Sequence, residues 1–254
     1  MKPHPIALAT GVVAILVAEP YSTPLPPPEN PRVEIQPSAP LPSSGSKGVL
    51  EGKVLFAGAQ IPQATQVENT TDPQGCGKLQ SLENVIVSAK NQGIQNVIVV
   101  LQGVALPKDY RSQASRLILD NRECRFRPHA AVVTTGSSIE AVNSDPIFHS
   151  VHLYGVRNLN LALSPKSSKV VRRVKRPGFL IVKCDIHGWM QAFVRVDDHP
   201  FHSVSAADGR FRIAGIPPGS YTLEAWHEYF GSKETRVRVE AGSVSRVTLY
   251  YRTP

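Results

Sequence analysis

The sequence predicts an all-β fold of sandwich type, and three observations carry that expectation. Short β-branched runs recur between Gly, Asn and Pro punctuation along most of the chain. No stretch sustains an amphipathic helical period over three turns. Valine is plentiful while leucine and alanine do not dominate, a composition that suits pleated, half-buried surfaces. The 254 residues are 41% apolar, enough for one large or two small domains with their own cores. The formal net charge of +8 points to an acidic partner, an anionic membrane or nucleic acid. No basic face interleaved with aromatics accompanies it, so nucleic acid is not expected.

In chain order, residues 1–19 read as an export signal: Lys2 opens it and residues 6–18 (IALATGVVAILVA) form a short apolar core. That core falls short of the ~20 apolar residues of a membrane span. An uncleaved anchor is the alternative, and it would be the only route to a membrane. Residues 20–47 follow as a Pro-rich linker, and nine of the 22 prolines fall within 20–42. Residues 48–116 form a β extension, with a first strand over 49–56 and short runs at Val85-Ile86-Val87 and Val97-Ile98-Val99-Val100-Leu101. Further strands are read at 116–120, 130–134, 138–142, 150–154, 170–174, 179–184 and 191–196. The tail, 199–254, has sharper turns. Asp208-Gly209 is a two-residue hairpin signal, Ile216-Pro217-Pro218-Gly219-Ser220 is a second turn, and three strands lie over 221–228, 235–240 and 244–251.

Chemistry concentrates in Lys183-Cys184-Asp185-Ile186-His187-Gly188-Trp189-Met190. A thiolate, an imidazole and a thioether fall within seven residues, the donor set of a blue-copper centre. The chain has two Met, one of them the initiator, and the other follows His187 by three residues. A second imidazole must come from elsewhere. Phe148-His149-Ser150-Val151-His152 offers two, which in a strand would face opposite sides, so that one points at the metal and the other does not. Half of a structural zinc site is the alternative for Cys184-x-x-His187, but zinc would want a second close Cys/His pair, and Cys76 and Cys124 are each isolated.

Cys184-x2-His187-x2-Met190 resembles the ligand loop of the amicyanin and plastocyanin group of cupredoxins, with the short amicyanin spacing. Phe148-His149-Ser150-Val151-His152-Leu153 resembles that group's Pro-His-Asn-Val-His-Phe segment, with Ser150 in place of Asn and Phe148 in place of Pro. Phe126-Arg127-Pro128-His129 and the stretch 136–143 resemble its opening strands. This resemblance implies a Greek-key β-sandwich over 117–198 and one copper ion held by His149, Cys184, His187 and Met190. The tail is similar to a different family: Ala207-Asp208-Gly209-Arg210-Phe211 with Ile216-Pro217-Pro218-Gly219-Ser220-Tyr221 resembles the second half of a carboxypeptidase regulatory-like domain, a small transthyretin-like sandwich. Gly52-Lys53-Val54 and Asn96-Val97-Ile98-Val99 resemble its first half. The cupredoxin is then either inserted into this sandwich or flanked by an N-terminal extension and a β tail.

These resemblances imply an exported, non-enzymatic carrier of single electrons in the periplasm or outside the cell. A copper carrier, or an envelope binding module, is the alternative. Cys76 and Cys124 pair as a disulfide, leaving Cys184 for the metal. The ring edge of His187 is the expected electron port. Gly188 and Trp189 form an apolar docking patch, or Trp189 packs in the core. The basic run Lys166, Lys169, Arg172, Arg173, Lys175 and Arg176 would steer an acidic redox partner such as a cytochrome or dehydrogenase, or is only a solvated hairpin. His129, His199, His202 and His227 receive no role.

Overall fold

A computed structural model describes residues 46–106, 113–171 and 173–253. The export signal read over 1–19 and all but the last two residues of the linker lie outside them, as does Arg172 of the basic run. The first elements are β1 (Gly48–Phe56), β2 (Gln66–Glu68), the one-turn helix α1 (Pro73–Cys76), β3 (Leu79–Ser81) and β4 (Ile98–Gln102). Next come β5 (Arg116–Arg122), β6 (Arg125–Arg127), β7 (Ala130–Thr134), β8 (Ser138–Asn143) and β9 (His149–Gly155). Then follow β10 (Leu159–Leu163), β11 (Ser168–Val171), β12 (Gly178–Lys183) and β13 (Gln191–Asp197). The last are β14 (His202–Val204), β15 (Arg210–Ile216), β16 (Gly219–His227), β17 (Gly231–Val239) and β18 (Val244–Tyr251). The fold is all-β, as the strand patterning predicts. No helix among the described residues is long and apolar enough to cross a membrane.

Two sandwiches result. In the first, a sheet of order β10-β9-β12-β13-β7 shares one core with a sheet of order β11-β8-β5-β6. Alternation drives it: Leu180 and Val182 of β12 turn inward while Ile181 and Lys183 turn to solvent, and Ile139 and Ala141 of β8 meet them from the other sheet. Leu119, Phe126, Val151, Leu153 and Val194 complete the layer.

The second sandwich has sheets of order β15-β1-β18 and β14-β4-β16-β17. Its strands come from both sides of the first: β1 runs antiparallel to β15 and parallel to β18, and β4 lies between β14 and β16. β4 explains its own unbroken apolar run. Val99 and Leu101 enter the second core, while Ile98 and Val100 pack with Ala130 and Phe193 of the first sandwich. Trp226 joins that seam, its ring 4.9 Å from that of Phe193. A strand buried on both faces has no polar side to alternate.

Two expectations need correction. Asp208-Gly209 does not close a hairpin: it carries the chain from β14 in one sheet to β15 in the other. Gly209 has φ +78°, and a Cβ there would stand 2.3 Å from the Val54 carbonyl, so close backbone approach demands glycine. Val85-Ile86-Val87 is not a strand; Val87 makes one isolated bridge to Ile94, and the apolar run packs on the second core. Between β9 and β12 lies β10, whose Leu159, Leu161 and Leu163 alternate with exposed Asn160 and Ala162 but which has none of the β-branched residues that mark β9 and β12.

The unassigned histidines find local partners. His227 is buried, and its Nδ1 accepts the Tyr229 N–H at 3.2 Å. His199 Nδ1 accepts the Phe201 N–H, and His202 Nδ1 meets Asp197 at 2.8 Å. Burial lowers the His227 pKa to about 4 against partial opposition from Glu228 and the Gln95 carbonyl, and burial lowers His199 as well. A histidine kept neutral in the fold binds fewer protons than in the unfolded chain. Its stabilisation is therefore complete above about pH 6.5 and is lost as pH falls towards about 4. Urea unfolding of the metal-free protein should show stability falling between pH 7 and pH 4, with about 3 kcal/mol of the loss due to His227. His227→Gln should flatten that slope.

Candidate metal centre

β9 begins at His149, β12 ends at Lys183 beside it, and Cys184 opens the loop to β13. That loop folds back on itself: Met190 N–H donates to the His187 carbonyl at 2.9 Å, and Cys184 N–H to the Met190 carbonyl at 3.3 Å. The sequence-predicted donors meet as a result. His187 Nδ1 is 3.0 Å from His149 Nδ1 and 3.7 Å from Cys184 Sγ, and His149 Nδ1 is 4.0 Å from the same sulfur. A triangle of those sides has its centre about 2.1 Å from each corner, the bond length of a metal ion to imidazole and thiolate donors. All three residues are buried, and Met190 is buried in the same cluster. His152 turns the other way, its Nδ1 3.0 Å from Asp185 and 2.8 Å from the Tyr154 hydroxyl.

Ser150, where the resemblance would have Asn, still ties the two segments together. Its Oγ accepts the Asp185 N–H at 2.8 Å, and its own N–H donates to Cys184 Sγ at 3.4 Å. Burial pushes the Cys184 thiol up, but His187 and the backbone N–H groups of Ser150, His187 and Ile186 outweigh it and bring the pKa below the ordinary value. Burial lowers His149, partly offset by Asp145, which favours the neutral imidazole a metal requires.

The far side of the centre was largely illegible in the sequence. Asp145 Oδ2 is 2.9 Å from His149 Nε2, fixing which nitrogen faces Cys184. The same carboxylate accepts the N–H groups of Glu123 at 2.8 Å and Cys124 at 2.9 Å. Those two residues form the β5–β6 turn with φ +56° and +54°, a geometry usually left to Asn and Gly. Cys124 is joined to Cys76 by a disulfide, as expected from the cysteine count. Cys76 ends α1 in a loop organised by Asn69, whose side chain bonds the Asp72 and Gly77 carbonyls and the N–H groups of Thr71 and Asp72. Besides the cysteine count, the advance signal was an acid four residues before His149.

This loop overturns the expected electron port. His187 is fully buried, with Cys76 Sγ 3.9 Å from its Nε2 and the Trp189 ring 5.0 Å away. Trp189 is half-buried and donates from Nε1 to the Cys124 carbonyl at 3.1 Å, so it is a structural cover more than an open patch; Gly188 is exposed. Phe148, beside His149, is the large apolar side chain that does reach solvent there.

Both families read from the sequence reappear in comparisons with known proteins. Residues 190–251 match the model of the carboxypeptidase regulatory-like domain. No curated protein sequence matches the chain. Among solved structures, a copper-containing nitrite reductase from Thermus scotoductus SA-01 is similar at 17% identity and TM-score 0.31, over 37% of this chain. The chain spans 25% of that reductase's length. A purple cupredoxin from Nitrosopumilus maritimus is similar at 17% identity and TM-score 0.29, over 33% of this chain and 99% of its own. An amicyanin variant in its Cu(I) form is similar at 15% identity and TM-score 0.29, over 39% of this chain and 98% of its own. These likenesses are partial and distant, so what the centre binds is argued from its donors.

Asp145→Ala would strand the buried Cys124 N–H and the part-buried Glu123 N–H and free the His149 ring. It should cost about 3 kcal/mol or more in urea unfolding of the metal-free protein. Metal affinity, measured by chelator competition, should fall by about 10-fold or more.

Proposed function

We propose that the chain is an exported mononuclear type 1 copper protein that carries single electrons between redox partners and is not an enzyme. The observation behind this reading is the convergence of His149 Nδ1, Cys184 Sγ and His187 Nδ1 to within 4.0 Å of one another, away from solvent. Two imidazoles and a thiolate with a weak thioether select copper over zinc and over hard ions. When bound, that ion supplies a reversible one-electron couple. His149, Cys184 and His187 would hold it, with Met190 as a further sulfur donor. Asp145 orients the first ring, and the Ser150 N–H, aimed at the sulfur, tunes the potential. Burial keeps water from the ligand positions.

Lys183 and Asp185, both exposed, flank Cys184 where a copper oxidase or reductase would need further histidines. Lys166, Lys169, Arg173, Lys175 and Arg176 are exposed and suit an acidic redox partner approached by electrostatic steering. A second reading, a copper carrier, draws on the burial of His187, which leaves no imidazole edge at the surface for electron exchange.

Reconstitution with Cu(II) should give an intense visible thiolate-to-copper absorption that bleaches and returns through repeated one-electron cycles. Cys184→Ser should abolish the colour. Tight Cu(I) binding in a protein that stays colourless under oxidant would favour the carrier and end the electron-transfer reading.

A further inference from the structure

The Nδ1 atoms of the two histidines face Cys184, and their other edges face the disulfide. Cys76 Sγ lies 3.9 Å from His187 Nε2. Cys124 Sγ, an Asp145 carboxylate oxygen and a His149 ring nitrogen lie within 4.8 Å of one another. Two sulfurs, a carboxylate and two imidazole nitrogens therefore lie together behind the first centre. While the sulfurs are bonded to each other neither is a good donor; as thiolates they are the softest ligands a protein has.

We infer that reduction of the Cys76–Cys124 disulfide creates a second metal site, specific for Cu(I), with Cys76 and Cys124 as its thiolate ligands and the His187 and Asp145 edges at its rim. A small dithiol supplies two electrons and two protons, its own sulfurs closing into a disulfide while the Cys76–Cys124 bond becomes two thiols. Cu(I) then displaces both thiol protons. Two thiolates suit the soft Cu(I) ion and bind hard divalent ions poorly.

The two sulfurs must separate to admit an ion, and the structure allows this from one side. Cys124 is held by Asp145 at its N–H and by Trp189 at its carbonyl. Cys76 is half-buried and ends a one-turn helix whose neighbours Gln74, Gly75, Gly77 and Lys78 are exposed. A reductant reaches Cys76 from its exposed side, and with the disulfide open Cys76 keeps its loop's own Asn69 bonds while Cys124 stays held by Asp145 and Trp189. This inference is independent of whether Cys184 binds metal.

The test uses the full chain carrying Cys184→Ser, so that uptake reports on the second site. Cu(I) is titrated in competition with a chromogenic Cu(I) chelator, before and after treatment with a dithiol and its removal without air. The reduced protein should take up one more Cu(I) than the disulfide-intact form while keeping its near-ultraviolet circular dichroism. Adding Cys76→Ser should abolish that increment. Equal uptake by the reduced and disulfide-intact forms would overturn the proposal. So would an increment that survives Cys76→Ser, or one that comes only with loss of the near-ultraviolet signal.

Discussion

The carboxylate of Asp145 is the constraint on which the centre depends. It joins three things that the chain brings from different places: the β5–β6 turn, the disulfide through Cys124, and the imidazole of His149. A buried acceptor with three donors is strongly held, because each donor would otherwise be left unsatisfied away from water. Two consecutive non-glycine residues at positive φ are an expensive turn in isolation. Here the carboxylate offsets that strain, and the strained turn in turn places Cys124 over the histidines. Orientation of the metal-facing nitrogen and attachment of the covering loop are thus one arrangement.

The first sandwich and its donors were legible because both follow from local pattern. Period-two alternation in β8 and β12 marks a half-buried sheet, and Cys184, His187 and Met190 lie close enough in sequence for one turn to gather them. The cover over His187 was not legible. Its loop, 69–80, is polar and short of periodicity, and its position is fixed by Asn69 side-chain bonds and a disulfide that reaches across 48 residues. The same holds for the strands of the second sandwich. The Asp208-Gly209 turn looks like a hairpin in one dimension, but whether flanking strands pair or part to different sheets is decided by partners far along the chain.

The seam between the sandwiches is also a consequence of one strand having two apolar faces. β4 gives alternate residues to the second core and to Phe193 and Ala130 of the first, and Trp226 closes the contact. His129 meets Glu228 across the same seam, and Gln191, next to Met190, donates to the other oxygen of that carboxylate at 3.0 Å. The second sandwich therefore reaches to within one residue of Met190. Its packing contributes to how rigidly β13 presents that residue.

The parallel pairing of Val49 with Val244 has a consequence for the order in which the molecule can be made. β1 cannot close its sheet until β15 and β18, both far along the chain, reach it. The first sandwich spans a shorter stretch, with all its strands between Arg116 and Asp197, so its closures are more local. Its formation then draws the two flanks together, shortening the loop the final closure must span. The first sandwich thereby holds in place the two flanks from which the second is built.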